Sequence, residues 1–162
     1  MFASLLDPFF NSHLYIQLSP DKVVVRDVRN RIEVSEEAVM VLLVEGSKRT
    51  VWGIGRQAAD GSIGAQYIRI RPFAHPRSIV SDFHSAEHLL KYLVAKLLRR
   101  SWFRPSPSIV IHPLADVEGG YTQVELRALQ ELAITCGAWK ADVWVGRRLS
   151  DADVLAHKFS TR

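Results

Sequence analysis

Several groups of residues have the types and spacing that chemistry uses. His84 and His88 stand four apart with Glu87 between them, a spacing that can turn two imidazoles to one helix face. No third ligand follows at a suitable interval, so surface histidines are the expected reading. Cys136, the single cysteine, excludes an internal disulfide and suits a reducing cytosol. Its place near a helix end predicts a buried structural thiol rather than a nucleophile. Arg69 and Arg71 alternate with Ile68 and Ile70, which puts both guanidinium groups on one strand face. They could meet phosphate or an acidic partner, but solvated edge positions are the expected reading. Asp151 and Asp153 follow Ser150 and are expected to cap a helix.

Two apolar stretches have the composition of membrane anchors. Trp102 and Phe103 are flanked by Arg99, Arg100 and Arg104, so rings could enter a headgroup boundary while arginines meet anionic lipid. The competing reading folds the two rings back onto the core. A nucleic-acid surface is not expected, because no repeating stacking platform accompanies the aromatics. Residues 1–12 form the second stretch, with Phe2, Leu5, Leu6 and Phe9 at helical spacing and Pro8 limiting its length. It reads either as a short amphipathic helix lying on a membrane or as a segment packed on the domain.

The elements that must position these residues are legible in order. His13–Leu18 and Val23–Asp27 alternate as a strand pair joined through Ser19-Pro20-Asp21-Lys22. Residues 38–44 and 50–55 read as further strands, residues 56–64 as a short helix and residues 67–71 as another strand. Ser85 is a candidate cap for a helix whose buried stripe is Leu89, Leu90, Leu93, Val94, Leu97 and Leu98. Ser108-Ile109-Val110-Ile111, bounded by Pro107 and Pro113, reads as an interior strand. Thr122-Gln123-Val124-Glu125 matches a capping box, and Val124, Leu126, Leu129, Leu132 and Ala133 give the following helix its apolar face up to Gly137. Residues 139–145 form a last strand. A strand, a loop and a helix folded back on it make half of a βαβ unit, so the class is α/β.

Composition fits a single soluble domain over residues 13–162. At 162 residues, 48% hydrophobic and 23% charged, the chain can bury a core without staples. No apolar run reaches bilayer length, and the net charge of +4 permits anionic partners without specifying one.

Four segments, taken in order, resemble MreB, the bacterial actin homologue. They are Ile70-Arg71-Pro72 with Ile79-Val80-Ser81-Asp82-Phe83, then Arg104-Pro105-Ser106-Pro107, then Thr122-Gln123-Val124-Glu125 with Arg127-Ala128, then Gly137-Ala138. The resemblance covers most of residues 14–157. It implies an actin-like (ribonuclease H-like) mixed five-strand sheet with helices on both faces, and a small appended lobe over about residues 29–76. It also places Trp102-Phe103 on that family's membrane-insertion turn.

The same resemblance marks where catalysis should fail. The family's first phosphate loop reads Asp-x-Gly-Thr, and here the matching positions are Gln17, Ser19 and Pro20, with Asp21 and Lys22 following. Gln17 brings no charge for Mg²⁺, Ser19 adds a Cβ and Pro20 removes an amide donor. The family's last strand leads into Glu-Glu-Pro, whose carboxylate helps position the attacking water; here the chain reads Gly146-Arg147-Arg148. The family also has a second large domain, with the other phosphate loop and the adenosine pocket, that these 162 residues do not include. The expectation is therefore a chain with no catalytic residues, no metal and no cofactor, which does not hydrolyse ATP. Its expected partners are full-length MreB or another cell-shape protein, an anionic membrane surface, and a second copy in a homodimer, but no nucleic acid. Its expected location is cytoplasmic, peripheral on the inner face of the membrane. The alternative is a nucleotide-binding protein with a remodelled actin-like site completed by another chain. Surface that a second domain would cover is expected either to be repacked by Leu149, Val154, Leu155 and Phe159 or to be used for self-association.

Overall fold

The computed structural model of the chain describes residues 12–59, 64–76, 78–98 and 106–159. Two sheets organise them. The larger has five strands, β1 (His13–Leu18), β2 (Lys22–Asp27), β3 (Ile32–Glu37), β7 (Ser108–Pro113) and β8 (Lys140–Val143), in the order β3-β2-β1-β7-β8. β1, β2 and β3 form an antiparallel meander, whereas β1, β7 and β8 run parallel. The smaller sheet has the order β5-β4-β6, from β4 (Met40–Glu45), β5 (Lys48–Ile54) and β6 (Tyr67–Ile70). Helix α1 (Arg56–Ala59) lies against it, with Ala58 buried on Val39 and Val41.

Period-two alternation sends the side chains of the central strands to opposite faces. On one face Leu14, Ile16, Leu18, Ile109 and Ile111 meet Leu89, Leu90 and Leu93 of α2 (Phe83–Leu98) and Leu129 and Leu132 of α3 (Gln123–Thr135). On the other, Tyr15, Val28 and Val110 meet Leu149 and, from α4 (Asp151–Leu155), Val154. Helices thus cover both faces, which parallel strands require, and β7 is buried along its whole length. Arg26 ties α4 to the sheet through Asp151 at 2.8 Å.

Four local expectations change in three dimensions. Ser85 does not cap α2. It is buried inside the helix, and its amide donates to the Asp82 carboxylate at 2.7 Å, one turn earlier. Val124 is 79% exposed, because the first turn of α3 presents it away from the sheet. Of the residues expected to repack apolar surface, Leu149 and Val154 are buried against the second sheet face with Phe159 partly buried beside them, whereas Leu155 is 40% exposed. Finally, β3 carries too mild an alternation (Ile32 and Val34 against Glu33 and Ser35) to be read from sequence. It forms because β2 offers a free edge, and Glu36 anchors it to Lys96 of α2 at 2.7 Å.

Candidate functional site

The ends of parallel strands are where α/β sheets place their ligands, since the loops leaving them open a crevice. Here β1 ends at Leu18, β7 at Pro113 and β8 at Val143. A cleft of about 400 Å³ opens there, lined by His112, Asp116, Gly120, Tyr121, Gly146 and Arg148, among others.

The turn from β1 into β2 borders these strand ends. The Ser19 amide donates to Lys22 O at 2.9 Å, Ser19 Oγ donates to the same carbonyl at 2.8 Å, and the Lys22 amide donates to Ser19 Oγ at 3.2 Å. Pro20 has no amide hydrogen. Of these four positions only the Asp21 amide stands outside that closed set. A phosphate cradle needs several backbone amides aimed outward, and this turn aims them inward. The Asp21 carboxylate is 3.7 Å from Arg71, and Gln17 reaches back to the Tyr15 hydroxyl at 3.5 Å.

The segment after β8 is held just as firmly. The Trp144 indole donates to Arg147 O at 2.7 Å and lies over Gly146. A Cβ at that glycine would sit 2.8 Å from the Trp144 ring, so close approach requires glycine there. The Arg147 guanidinium reaches Asp153 at 3.1 Å. Hydrogen bonds from the Ser150 amide and hydroxyl, then from Arg147, pull the Asp153 carboxyl down to about 2. Asp153 therefore works as the acid of a capping box on α4, with Ser150 as its hydroxyl partner. Arg148 is left as the cation on the cleft wall, with Asp116 on the same wall.

Beneath the cleft lies a polar network that sequence reasoning missed. The Tyr15 hydroxyl and His112 Nδ1 are 2.5 Å apart, His112 Nε2 is 2.9 Å from Gly146 O, and the Leu149 amide donates to the Tyr15 hydroxyl at 3.1 Å. A carbonyl only accepts, so Nε2 carries the proton and Nδ1 accepts from tyrosine. Burial lowers the His112 pKa against a smaller upward pull from Gly146 O, which keeps the ring neutral. The network joins β1, β7 and the segment after β8, and both ring nitrogens of His112 and the proton of the Tyr15 hydroxyl are committed within it. The available signal was a tyrosine inside β1 and a histidine inside β7, since polar groups in buried strands must find partners.

The remaining candidates are dispersed. His84 and His88 lie on the outer face of α2 with Nε2 atoms 3.2 Å apart, while Glu87 is committed to Lys91 at 2.5 Å. Among the described residues no group of three His, Cys, Asp or Glu is arranged to hold a metal. Burial pushes the Cys136 thiol up to about 12, far from a reactive thiolate. Arg69 donates to Ala58 O at 3.1 Å. Phe2, Leu5, Leu6, Trp102, Phe103 and Arg104 lie outside the described residues. Within the described residues no helix is long and apolar enough to cross a membrane.

No family model matches the chain. In sequence it is 28% identical over 133 residues to the cell shape-determining protein MreB of Haemophilus influenzae, covering 80% of this chain and 36% of that protein. In structure it is similar to MreB 5 of Spiroplasma citri bound to AMPPNP, with a TM-score of 0.61 and 17% identity over 81% of this chain and 38% of that one. It is also similar to MamK in its double helical filament, with a TM-score of 0.55 and 16% identity over 83% of this chain and 41% of that one. The chain thus spans less than half the length of these relatives. Over the part they share it is homologous to MreB, a cell shape-determining protein, and its fold is actin-like.

Proposed function

Starting from that homology, we propose that this chain is a non-catalytic MreB-like module that works by binding. Its partner in this reading is a filament of full-length MreB, or another cell-shape protein, at the inner face of the membrane. One observation carries the non-catalytic part: the turn at the phosphate-loop position spends the Ser19 and Lys22 amides on itself, and Pro20 has none to offer. Gln17 in place of a carboxylate and Arg147 in place of the acidic pair point the same way. The similarity to the MamK filament supports a polymer as partner, and also supports self-association. Residues 1–12 and the Trp102-Phe103-Arg104 turn are the proposed membrane contacts; the proposed minor lobe, expected over about residues 29–76, narrows to the β5-β4-β6 unit with α1, because β3 (Ile32–Glu37) joins the larger sheet.

Co-sedimentation with MreB filaments and with anionic vesicles tests the binding part. Wild-type chain should pellet with filaments, and vesicle pelleting should be lost in Trp102→Ser/Phe103→Ser or on removal of residues 1–10. Failure to pellet with either would overturn the reading. A thermal-shift series with ATP and Mg²⁺ tests the other half. Nucleotide at a hundred times its dissociation constant would add about 2.7 kcal/mol, raising Tm by several degrees. The proposal expects no such shift. A clear one would favour a remodelled nucleotide site completed by another chain, a reading supported by the cleft that Arg148 and Asp116 line.

A further inference from the structure

The charge of the chain is concentrated in one place. Residues 38–77 contain six Lys or Arg and two Asp or Glu, while the rest of the chain contains fifteen of each. The entire net charge of +4 therefore belongs to the segment that builds the β5-β4-β6 sheet. Lys48, Arg49, Arg56, Arg69 and Arg71 are all exposed, and Glu45 is the only acid among the described residues of this segment.

The two faces of that sheet differ. Val41 pairs with Arg69, whose Nε reaches the carbonyl of Ala58, so these side chains face α1. Leu42 and its cross-strand partners, Ile68 on β6 and Val51 on β5, must face the other way. Ile68 is 42% exposed and Val51 is 36% exposed, with Leu42 sheltered between them. The result is an aliphatic row across all three strands that α1 does not cover, with Arg49 on the same face beside Val44.

Arg56 and Arg69 belong to the α1 side, so the cations that border the row are Lys48 and Arg49 at the β4–β5 turn. We propose that the row and these two cations dock an acidic protein segment, one that carries apolar side chains between Asp and Glu. The inference goes beyond the non-catalytic reading and holds whether or not the chain binds nucleotide. Apolar centre and charged rim is the usual anatomy of a protein interface, with the rim selecting the sign of the partner. A lipid surface fits less well. Interfacial anchors present aromatic side chains to the headgroups, but the Trp52 ring lies edge-on at 5.3 Å from Tyr67, which packs on the α1 side. Basic edge strands also deter aggregation, and that role alone predicts no binding.

The test uses the full isotope-labelled chain and a short synthetic peptide with Leu and Ile spaced between Asp and Glu. Its Lys-substituted counterpart and vesicles with and without phosphatidylglycerol are run in parallel. Binding of the acidic peptide should shift amide signals of β4, β5 and β6 and weaken with salt. Lys48→Glu/Arg49→Glu and Val51→Ser/Ile68→Ser should each weaken it about tenfold, a loss of about 1.4 kcal/mol. Circular dichroism confirms that each variant is folded. Equal binding of the Lys peptide, indifference to both variants, or no binding would overturn the proposal. Capture by phosphatidylglycerol vesicles through the same residues, without peptide binding, would reassign the surface to lipid.

Discussion

Replacing Tyr15 by Phe should be costly despite removing a single oxygen. The hydroxyl is buried, donates to His112 Nδ1 and accepts the Leu149 amide, so Tyr15→Phe leaves those two groups unpaired in the interior, while the longer contact from half-buried Gln17 can be replaced by water. Each orphan costs about 1–3 kcal/mol, partly offset because the hydroxyl no longer needs desolvating, for a net loss of about 2–4 kcal/mol. Urea unfolding of wild type, Tyr15→Phe, His112→Leu and the double variant measures this and the coupling between the two sites. The double variant should cost less than the sum of the singles by about 1 kcal/mol, since the Tyr15–His112 bond is lost only once. The pH dependence gives an independent check. His112 has a folded pKa below its unfolded value near 6.5, so above that pH both states are neutral and it contributes no slope. As pH falls through 6.5 toward the folded value, the unfolded chain takes up the proton first and stability drops. His112→Leu should remove that part of the slope. Glu125 and Glu87 are held below their ordinary 4.5 by hydrogen bonds, from Thr122 and Lys91 respectively. They therefore lose stabilisation only at lower pH. A Tyr15→Phe cost under about 0.5 kcal/mol with an unchanged m-value would refute the argument, because it would mean that the network is solvated.

Three further outcomes follow from other parts of the fold. Thr122→Ala removes the hydroxyl half of the capping box on α3 and should cost about 1 kcal/mol by thermal or urea unfolding. Leu132→Ala, in the larger core between α3 and the sheet, should cost about 2–5 kcal/mol, read as a lowered urea midpoint at constant m-value. Cys136 should resist iodoacetamide at pH 8 in the native chain and react once urea unfolds it. Rapid native labelling would show that the core does not shield this partly buried thiol.

Local physics made much of this protein legible from its amino acids. The box at Thr122 and Glu125 satisfies amides three residues away, the α2 stripe repeats with the helical period, and the β7 run is apolar and β-branched. Those cues need no distant partner, and together with the spacing of the MreB-like segments they determined the α/β class and the actin-like order of elements. Gln17, Ser19, Pro20 and Arg147 were also legible as residue types unsuited to phosphate and metal, which is what the proposed non-catalytic reading rests on. What those residues do instead was decided by tertiary structure. Ser19 closing the turn on Lys22, Arg147 turning to Asp153 and Asp82 displacing Ser85 as the α2 cap each select among donors and acceptors that the sequence leaves equally available. Tyr15 and His112 show the limit most clearly. Each strand announced that it contained a polar group, but the pair lies 97 positions apart and meets only because β1 and β7 adopt one parallel register. The aliphatic row of Val51, Leu42 and Ile68 likewise exists only through the pairing of three strands, since no one strand carries more than one of its residues.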